Sequence, residues 1–362
     1  MLRRINAPGG YLQGPGALSS LTDVIQMMQK KDAYLIVDAF IENLYHDEIV
    51  TGFMKAEMPY QLAVFGGECS WQELHLHQAA GEKNDVIIGI GGGKTLDVAK
   101  AVASLLAKPV IIVPTSASSD APCSQLAVIY TEQGMLERYL HLPHNPDWVI
   151  VDSTIIAKAP VRLLVAGIGD ALSTYYEACA CQASHLHQVQ GARIVYQMAK
   201  QCLETLLSQG IKAIEAVKDG ICNDALEDVI EANIYLSGIG FESGGLAAAH
   251  AIHNGLTLLE ETSVYLHGEK VAFGTLVQLA LEQRSDEDIL TLMTFCHRIG
   301  LPISLADIGL TEASDERLWL AARASCQDEA MGYMPFAVRP EDVLSAIHRI
   351  DALARPFNKP SC

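Results

Sequence analysis

The sequence predicts an α/β domain with a parallel sheet over residues 1–160, followed by an all-α domain over 161–362. Three observations carry this reading. Short, wholly apolar runs recur in the first part, each stopped by Gly, Pro or Asp. Helical stretches separate them. Beyond Asp152 such runs vanish, and Ala, Leu and Glu recur at helical spacing. Runs of about four to eight residues that are apolar throughout, rather than alternating, suit strands buried on both faces, as in a parallel sheet covered by helices. Alternation of strand with helix then gives a layered α/β structure.

Taken in order, Tyr34-Leu35-Ile36-Val37 ends at Asp38, and Leu62-Ala63-Val64-Phe65 stops at Gly66-Gly67. Val86-Ile87-Ile88-Gly89-Ile90 runs into Gly91-Gly92-Gly93, Val110-Ile111-Ile112-Val113 into Pro114, and Val149-Ile150-Val151-Asp152 closes the series. Thr95 to Leu106 reads as a helix with an apolar stripe. Pro160 sits where the first helix of the second domain would start, a position that tolerates its missing N–H.

Composition narrows the function. Half of the residues are hydrophobic and 19% are charged, enough apolar surface for a large core, which excludes a disordered or fibrous chain. Lys and Arg number 25 against 43 Asp and Glu, a net charge of -18. A chain this acidic repels phosphate backbones and anionic lipid, so neither nucleic acid nor membrane is expected as a partner. No run reaches the ~18 apolar residues of a membrane span; the best, Ala101 to Val113, is split by Lys108 and Pro109. Arg3 and Arg4 are followed by Pro8, Gly9 and Gly10, not by the apolar run of a signal peptide. The nine cysteines are scattered, with no C-x-x-C pair, and read as free thiols. A cytoplasmic location is the expectation.

Gly89-Ile90-Gly91-Gly92-Gly93-Lys94-Thr95-Leu96-Asp97 joins a strand to a helix. Glycines there let a backbone approach a ligand closely, and a helix N-terminus offers free N–H groups to an anion. The generic patterns fail: a P-loop needs glycine where Ile88 stands, and the Rossmann fingerprint needs it at Lys94 or Leu96. What remains is a phosphate or pyrophosphate cradle, set against a tight turn without a ligand. Asp38, at a strand's C-terminal end, either binds a ribose diol or caps the following helix. Pro114-Thr115-Ser116-Ala117-Ser118-Ser119-Asp120-Ala121-Pro122 is a hydroxyl-rich loop at another strand end, where open α/β sheets bind ligands.

Three of the twelve histidines, His250, His253 and His267, lie within 18 residues. Positions 250 and 253 share a helix face. Asp170, in Ala166-Gly167-Ile168-Gly169-Asp170-Ala171, is an acid in an apolar run, and a buried carboxylate needs a partner, of which a metal is one kind.

Several segments, in order from about residue 5 to 340, resemble the bacterial glycerol dehydrogenases of the iron-containing (group III) alcohol dehydrogenase superfamily. They are Phe65-Gly66-Gly67-Glu68-Cys69-Ser70, Gly91-Gly92-Gly93-Lys94-Thr95-Leu96-Asp97, Ser119-Asp120-Ala121-Pro122, Asn145-Pro146-Asp147 and Gly167-Ile168-Gly169-Asp170-Ala171-Leu172. The longest are Gly240-Phe241-Glu242-Ser243-Gly244-Gly245-Leu246-Ala247-Ala248-Ala249-His250-Ala251-Ile252-His253-Asn254-Gly255 and His267-Gly268-Glu269-Lys270-Val271-Ala272-Phe273-Gly274. The resemblance implies an N-terminal NAD-binding domain and a C-terminal helical domain holding metal and substrate, the dehydroquinate synthase-like architecture, with the active site in the cleft between them. It implies that Asp38 holds the adenosine ribose, that Gly92, Gly93 and Lys94 cradle the pyrophosphate beside Asp97, and that Thr115, Ser118, Ser124, Leu126 and Tyr130 contact NAD. It places Asp120 against the polyol, and Asp170, His250 and His267 on a metal, zinc or alternatively Fe2+. It also implies a homo-oligomer.

The implied reaction is oxidation of glycerol or a related vicinal diol to a hydroxyketone, with His253 as a candidate proton relay or a packing residue. The alternatives are 1,2-propanediol, an amino alcohol or a hydroxy acid as substrate and, more remotely, a dehydroquinate-synthase-like lyase, whose phosphorylated substrate asks for more basic residues than Lys270 alone. The sequence departs from the family in three places. Ser184 to Gly191 replaces a Met-Ala-Gly-Gly-type stretch, Tyr175 or Tyr176 stands for a Trp, and Met331 to Pro335 lacks an Ile-His-Asn.

Overall fold

A computed structural model describes residues 2–184 and 189–357. The chain forms two compact units, one of Asn6–Pro160 and Glu215–Ile234, the other of Met1–Ile5, Val161–Ile214 and Tyr235–Cys362. A division falls at Pro160, where the sequence texture changes; the two exchanged segments follow from long-range pairing that texture does not report. Strand β1 (Leu2–Arg4) pairs in parallel with Val189–Gly191. In the other direction, Gln13 Nε2 donates to the backbone oxygen and Oε2 of Glu227, at 2.9 and 2.6 Å, and buried Asn233 Nδ2 donates to the Ala117 carbonyl at 3.0 Å.

The α/β unit runs β2 (Gly10–Gly14), α1 (Leu21–Met27), β3 (Ala33–Val37), α2 (Ala39–Lys55), β4 (Tyr60–Val64), α3 (Trp71–Gly81), β5 (Val86–Gly91), α4 (Gly93–Leu106), β6 (Val110–Pro114), β7 (Leu126–Tyr130), β8 (Leu136–His141), β9 (Trp148–Asp152) and α5 (Ser153–Ile156). Six strands make one parallel sheet in the order β2-β9-β6-β5-β3-β4. The five apolar runs of the sequence are β3, β4, β5, β6 and β9, and β3 and β5 are buried along their whole length. The register sets Val37 beside Ile90 and Gly91 beside Pro114. The loops after β3, β5 and β6 therefore leave one edge of the sheet together, which gathers Asp38, the glycine loop and the hydroxyl-rich loop.

The antiparallel β7–β8 hairpin is not expected from the sequence. Its second strand, Leu-Glu-Arg-Tyr-Leu-His, is almost wholly exposed and carries no buried-face pattern. Lys100 of α4 ties the hairpin down. Its ammonium, on a side chain 1% exposed, pairs with Asp97 at 2.9 Å and donates to the carbonyls of Ala121, at 3.0 Å, and Leu126.

The remaining elements are α6 (Val161–Ser184), β10 (Val189–Gly191), α7 (Arg193–Lys218), α8 (Asp224–Glu231, part of the α/β unit), α9 (Ser237–Gly244), α10 (Ala248–Leu256), α11 (His267–Leu281), α12 (Asp286–Ile299), α13 (Asp315–Gln327) and α14 (Pro340–Ala354). Helix α11 is buried from Gly268 to Leu281, so it is the centre of its unit, and α6, α10 and α14 pack on it. Glycines set those contacts. A methyl group on Gly268 would overlap the Ala166 carbonyl of α6, one on Gly169 the Gly268 carbonyl, and one on Gly274 the Ala249 carbonyl of α10. The helices thus touch backbone to backbone beside Asp170, His250 and His267. No described helix is long and apolar enough to cross a membrane.

Candidate functional site

At the sheet edge, α4 begins without a side-chain cap at Gly92, so its first N–H groups have no side-chain acceptor there. Each glycine of the loop has a different reason. A methyl on Gly91 would lie 2.8 Å from Asp38 Cβ and 2.9 Å from Thr95 Oγ1, so that position has no room for one. Gly92 and Gly93 would meet nothing within 4 Å. No crowding within the protein explains those two, and their bare backbone leaves space for an anion at the helix N-terminus.

Most residues of this edge already have partners, through side chain or backbone. Asp38 caps α2, its Oδ1 accepting from Phe40 N at 2.9 Å and Ile41 N at 3.3 Å. Lys94 pairs with Glu68 at 2.6 Å and lies over the Tyr130 ring, 4.7 Å from its centroid. Burial, then nearby Asp97, pushes the Tyr130 hydroxyl up to about 12. Asp97 is turned inward to Lys100 and accepts from Val128 N at 3.0 Å. Thr115 N donates to the Gly91 carbonyl, Ser118 Oγ contacts Ser116 Oγ at 3.1 Å, and Ser124 Oγ donates to the Ala121 carbonyl. Leu126 accepts from Lys100, and Asp120 is buried at the start of the following 3-10 turn.

In the helical unit, Asp170, His250 and His267 converge from α6, α10 and α11, with one ligand atom of each within 4.8 Å of the others. His267 Nε2 lies 3.1 Å and His250 Nε2 3.5 Å from Asp170 Oδ1. Ligand atoms placed tetrahedrally at about 2.1 Å from one zinc ion are about 3.4 Å apart, which these separations match. Asp170 is 1% exposed, and among the described residues neither of its oxygens accepts a hydrogen bond of good geometry. Three electron-pair donors with so little compensation fit a cation at their centre. His267, at 44% exposure, leaves one side of the cluster open.

The buried carboxylates draw positive charge onto the neighbouring imidazoles, the charge a cation would otherwise supply. Burial raises the Asp170 carboxyl, but the imidazoles of His267 and His250 outweigh it and hold the group far below the usual carboxylate range. Burial lowers His250, and Glu177 and Asp170 carry it well above the ordinary imidazole value. Burial, with His267, His250 and Lys270 adding to it, drives His253 well below that value and keeps its ring neutral.

Glu177 adjoins the cluster, although the sequence does not single it out. It is fully buried on α6. Its Oε1 accepts from Ala247 N and His250 N, both at 2.9 Å, at the start of α10, and its Oε2 accepts from His250 Nδ1 at 2.7 Å. One carboxylate thus caps the helix and points His250 Nε2 toward Asp170. The available signal was spacing, since position 177 lies two turns after Asp170 on one face. Glu269 similarly fixes the start of α11, accepting from Leu266 N at 2.7 Å and pairing with Arg162. His253 has a partner on each ring nitrogen, His267 Nδ1 at 3.1 Å and Asn254 Oδ1 at 2.9 Å.

A model of the iron-containing alcohol dehydrogenase family matches residues 8–153. Over nearly full length the chain is 48% identical to the glycerol dehydrogenase of Thermotoga maritima, with 96% of each chain covered, and 46% identical to that of Citrobacter freundii, with 99% of each covered. The chain belongs to the glycerol dehydrogenase family. As a member of that family it is an oxidoreductase. The solved glycerol dehydrogenase of Schizosaccharomyces pombe shares its fold, with a TM-score of 0.93 and 38% identity over 98% of this chain and 92% of that one.

Against that family the departures now have positions. Of the altered 184–191 segment, His185 to Gln188 lie outside the described residues, and 189–191 is β10. Tyr175 and Tyr176 on α6 meet edge to face at 5.6 Å. The 331–335 segment overlaps a 3-10 turn, Glu329–Tyr333, which packs on α10.

Proposed function

We propose that this chain oxidises glycerol, or a closely related vicinal diol, to dihydroxyacetone or the matching hydroxyketone, with NAD as hydride acceptor and a zinc ion held by Asp170, His250 and His267. The observation that carries it is the three-helix convergence on a buried carboxylate whose oxygens, among the described residues, accept no hydrogen bond of good geometry. One carboxylate and two imidazoles, with an open side, are the donor set of a catalytic rather than a structural zinc.

When bound, a divalent cation supplies Lewis acidity, which makes an alcohol hydroxyl easier to deprotonate and hydride departure easier. The residues do the rest. Asp170 contributes negative charge from a buried position, Glu177 and the glycine contacts hold the ligand helices, and the exposed side of His267 admits substrate. Asp120 is assigned to the polyol. On the α/β unit, Gly92, Gly93 and Lys94 are assigned to the pyrophosphate, with Lys94 exchanging Glu68 for phosphate, and Asp38 to the adenosine ribose. Asp97 is assigned beside the pyrophosphate, and through Lys100 it ties down the 121–126 segment. Thr115, Ser118, Ser124, Leu126 and Tyr130 line the same edge. A homo-oligomer is proposed as the assembly.

The test is spectrophotometric. Zinc-loaded protein given NAD and glycerol should form reduced cofactor. Chelation should stop it, and His267→Ala should not recover with zinc. Equal rates with and without metal would refute the proposal. A panel of diols, amino alcohols and hydroxy acids fixes the substrate, and reconstitution with zinc or Fe2+ fixes the ion.

A further inference from the structure

A chain of hydrogen bonds leads away from His267 into its own unit. His267 Nδ1 meets His253 Nε2 at 3.1 Å, and His253 Nδ1 meets Asn254 Oδ1 at 2.9 Å. Asn254 Nδ2 donates to Asp328 Oδ2 at 2.8 Å, and Asp328 Oδ1 accepts from Ala330 N at 2.9 Å.

The far end dictates the direction of every bond. An ionised carboxylate only accepts. Asp328 therefore takes an N–H of the Asn254 amide and leaves the Asn254 oxygen facing His253. His253 Nδ1 must then carry the ring proton and donate it. His253 Nε2 is left as an acceptor, which His267 Nδ1 fills with its own proton. A neutral imidazole carries one N–H, so His267 Nε2 is bare where it faces Asp170. Glu177, also acceptor-only, takes the Nδ1 N–H of His250 directly.

We propose that Asp328, through Asn254 and His253, is a positioning residue that sets the tautomer of His267 and so makes its Nε2 a metal ligand. The proposal rests on the reading of Asp170, His250 and His267 as the metal centre. It makes His253 a link in a support chain rather than a group that exchanges a proton with substrate. It also gives the 3-10 turn at 329–333 a function, since Asp328 is the residue that caps it.

The test measures zinc affinity against a competing chromophoric chelator. Asp328→Asn permits the reverse polarity, in which the Asn254 amide nitrogen faces His253 and a proton lands on His267 Nε2. A loss of about 10- to 100-fold is expected, the usual effect of removing an outer partner of a ligand histidine. The exchanged pair, Asn254→Asp with Asp328→Asn, puts a carboxylate beside His253 and an amide beyond it, and should restore most of the affinity. A simple packing role would not predict that rescue. Unchanged affinity in Asp328→Asn overturns the proposal, as does an exchanged pair that folds but binds as weakly as the single variant. A measurement on the parent needs no variant: nitrogen-15 spectra of the zinc-loaded protein should show neutral His253 protonated on Nδ1, and protonation on Nε2 overturns the proposal. Asp170→Asn separates the two readings. If the parent takes up no more zinc than Asp170→Asn, the metal centre itself fails and this inference with it. If only the parent takes up zinc and Asp328→Asn matches the parent, this inference alone fails.

Discussion

The sheet edge of the α/β unit and the three-helix cluster of the other unit are built on opposite principles. At the sheet edge the assigned side chains are already engaged: Asp38 caps a helix, Lys94 is paired with Glu68, and Asp97 is paired with Lys100. What is left for a ligand is largely backbone, the uncapped start of α4 and the open space over Gly92 and Gly93. The helical cluster instead brings together a carboxylate and two imidazoles, and among the described residues the Asp170 oxygens accept no hydrogen bond of good geometry. A site made of backbone is self-consistent before its ligand arrives, whereas a site made of convergent acceptors announces the positive charge it requires.

The sharpest way to break that contrast is Asp170→Asn. Loss of Lewis-acid assistance is worth several kcal/mol, so kcat/KM should fall by about 1,000-fold along with zinc uptake; a variant that keeps both would remove the cluster from the reaction. Gly268→Ala comes next, because its methyl would run into backbone alone, the Ala166 carbonyl and Asp170 N. Overpacking of this kind costs about 3 kcal/mol, and an unchanged denaturant midpoint would show that the helices slide apart freely. Glu177→Gln should weaken zinc about 10- to 100-fold in a chelator competition, with the NAD dissociation constant unaltered. Asp38→Ala removes a cap worth about 1 kcal/mol and should relax discrimination against NADP; unchanged preference takes the ribose away from Asp38. Gly93→Ala is the mildest for stability and the most discriminating. Within α4, alanine should stabilise by about 0.5–1 kcal/mol, yet NAD should bind more weakly by fluorescence titration. A variant that is stabilised and binds NAD normally would leave the cradle without a ligand.

How much of this could be read beforehand depended on whether the cause was local. Strands β3, β5 and β6 were visible because burial on both faces makes a segment apolar throughout. Strand β2 and the β7–β8 hairpin were not, since Gly-Tyr-Leu-Gln-Gly and the exposed β8 have no such imprint. The place of 215–234 in the α/β unit depends on Gln13 and Ala117 far away in the chain. In the helical unit, His250 and His253 were adjacent on a helix, while the gathering of Asp170, His250 and His267 came from family resemblance rather than from spacing. Glu177 carries only a periodic signal, two turns after Asp170 on one helix face. Asp328 had none, because its tie to Asn254 spans 74 residues of sequence.

The contact of Gly169 with Gly268 has one further consequence. With no side chain between the two helices at that point, the spacing of Asp170 from His267 is gauged by the van der Waals radii of main-chain atoms. Such a gauge does not drift when neighbouring core residues are exchanged for others of similar volume. The side chains around the cluster can therefore diverge while its bite stays constant.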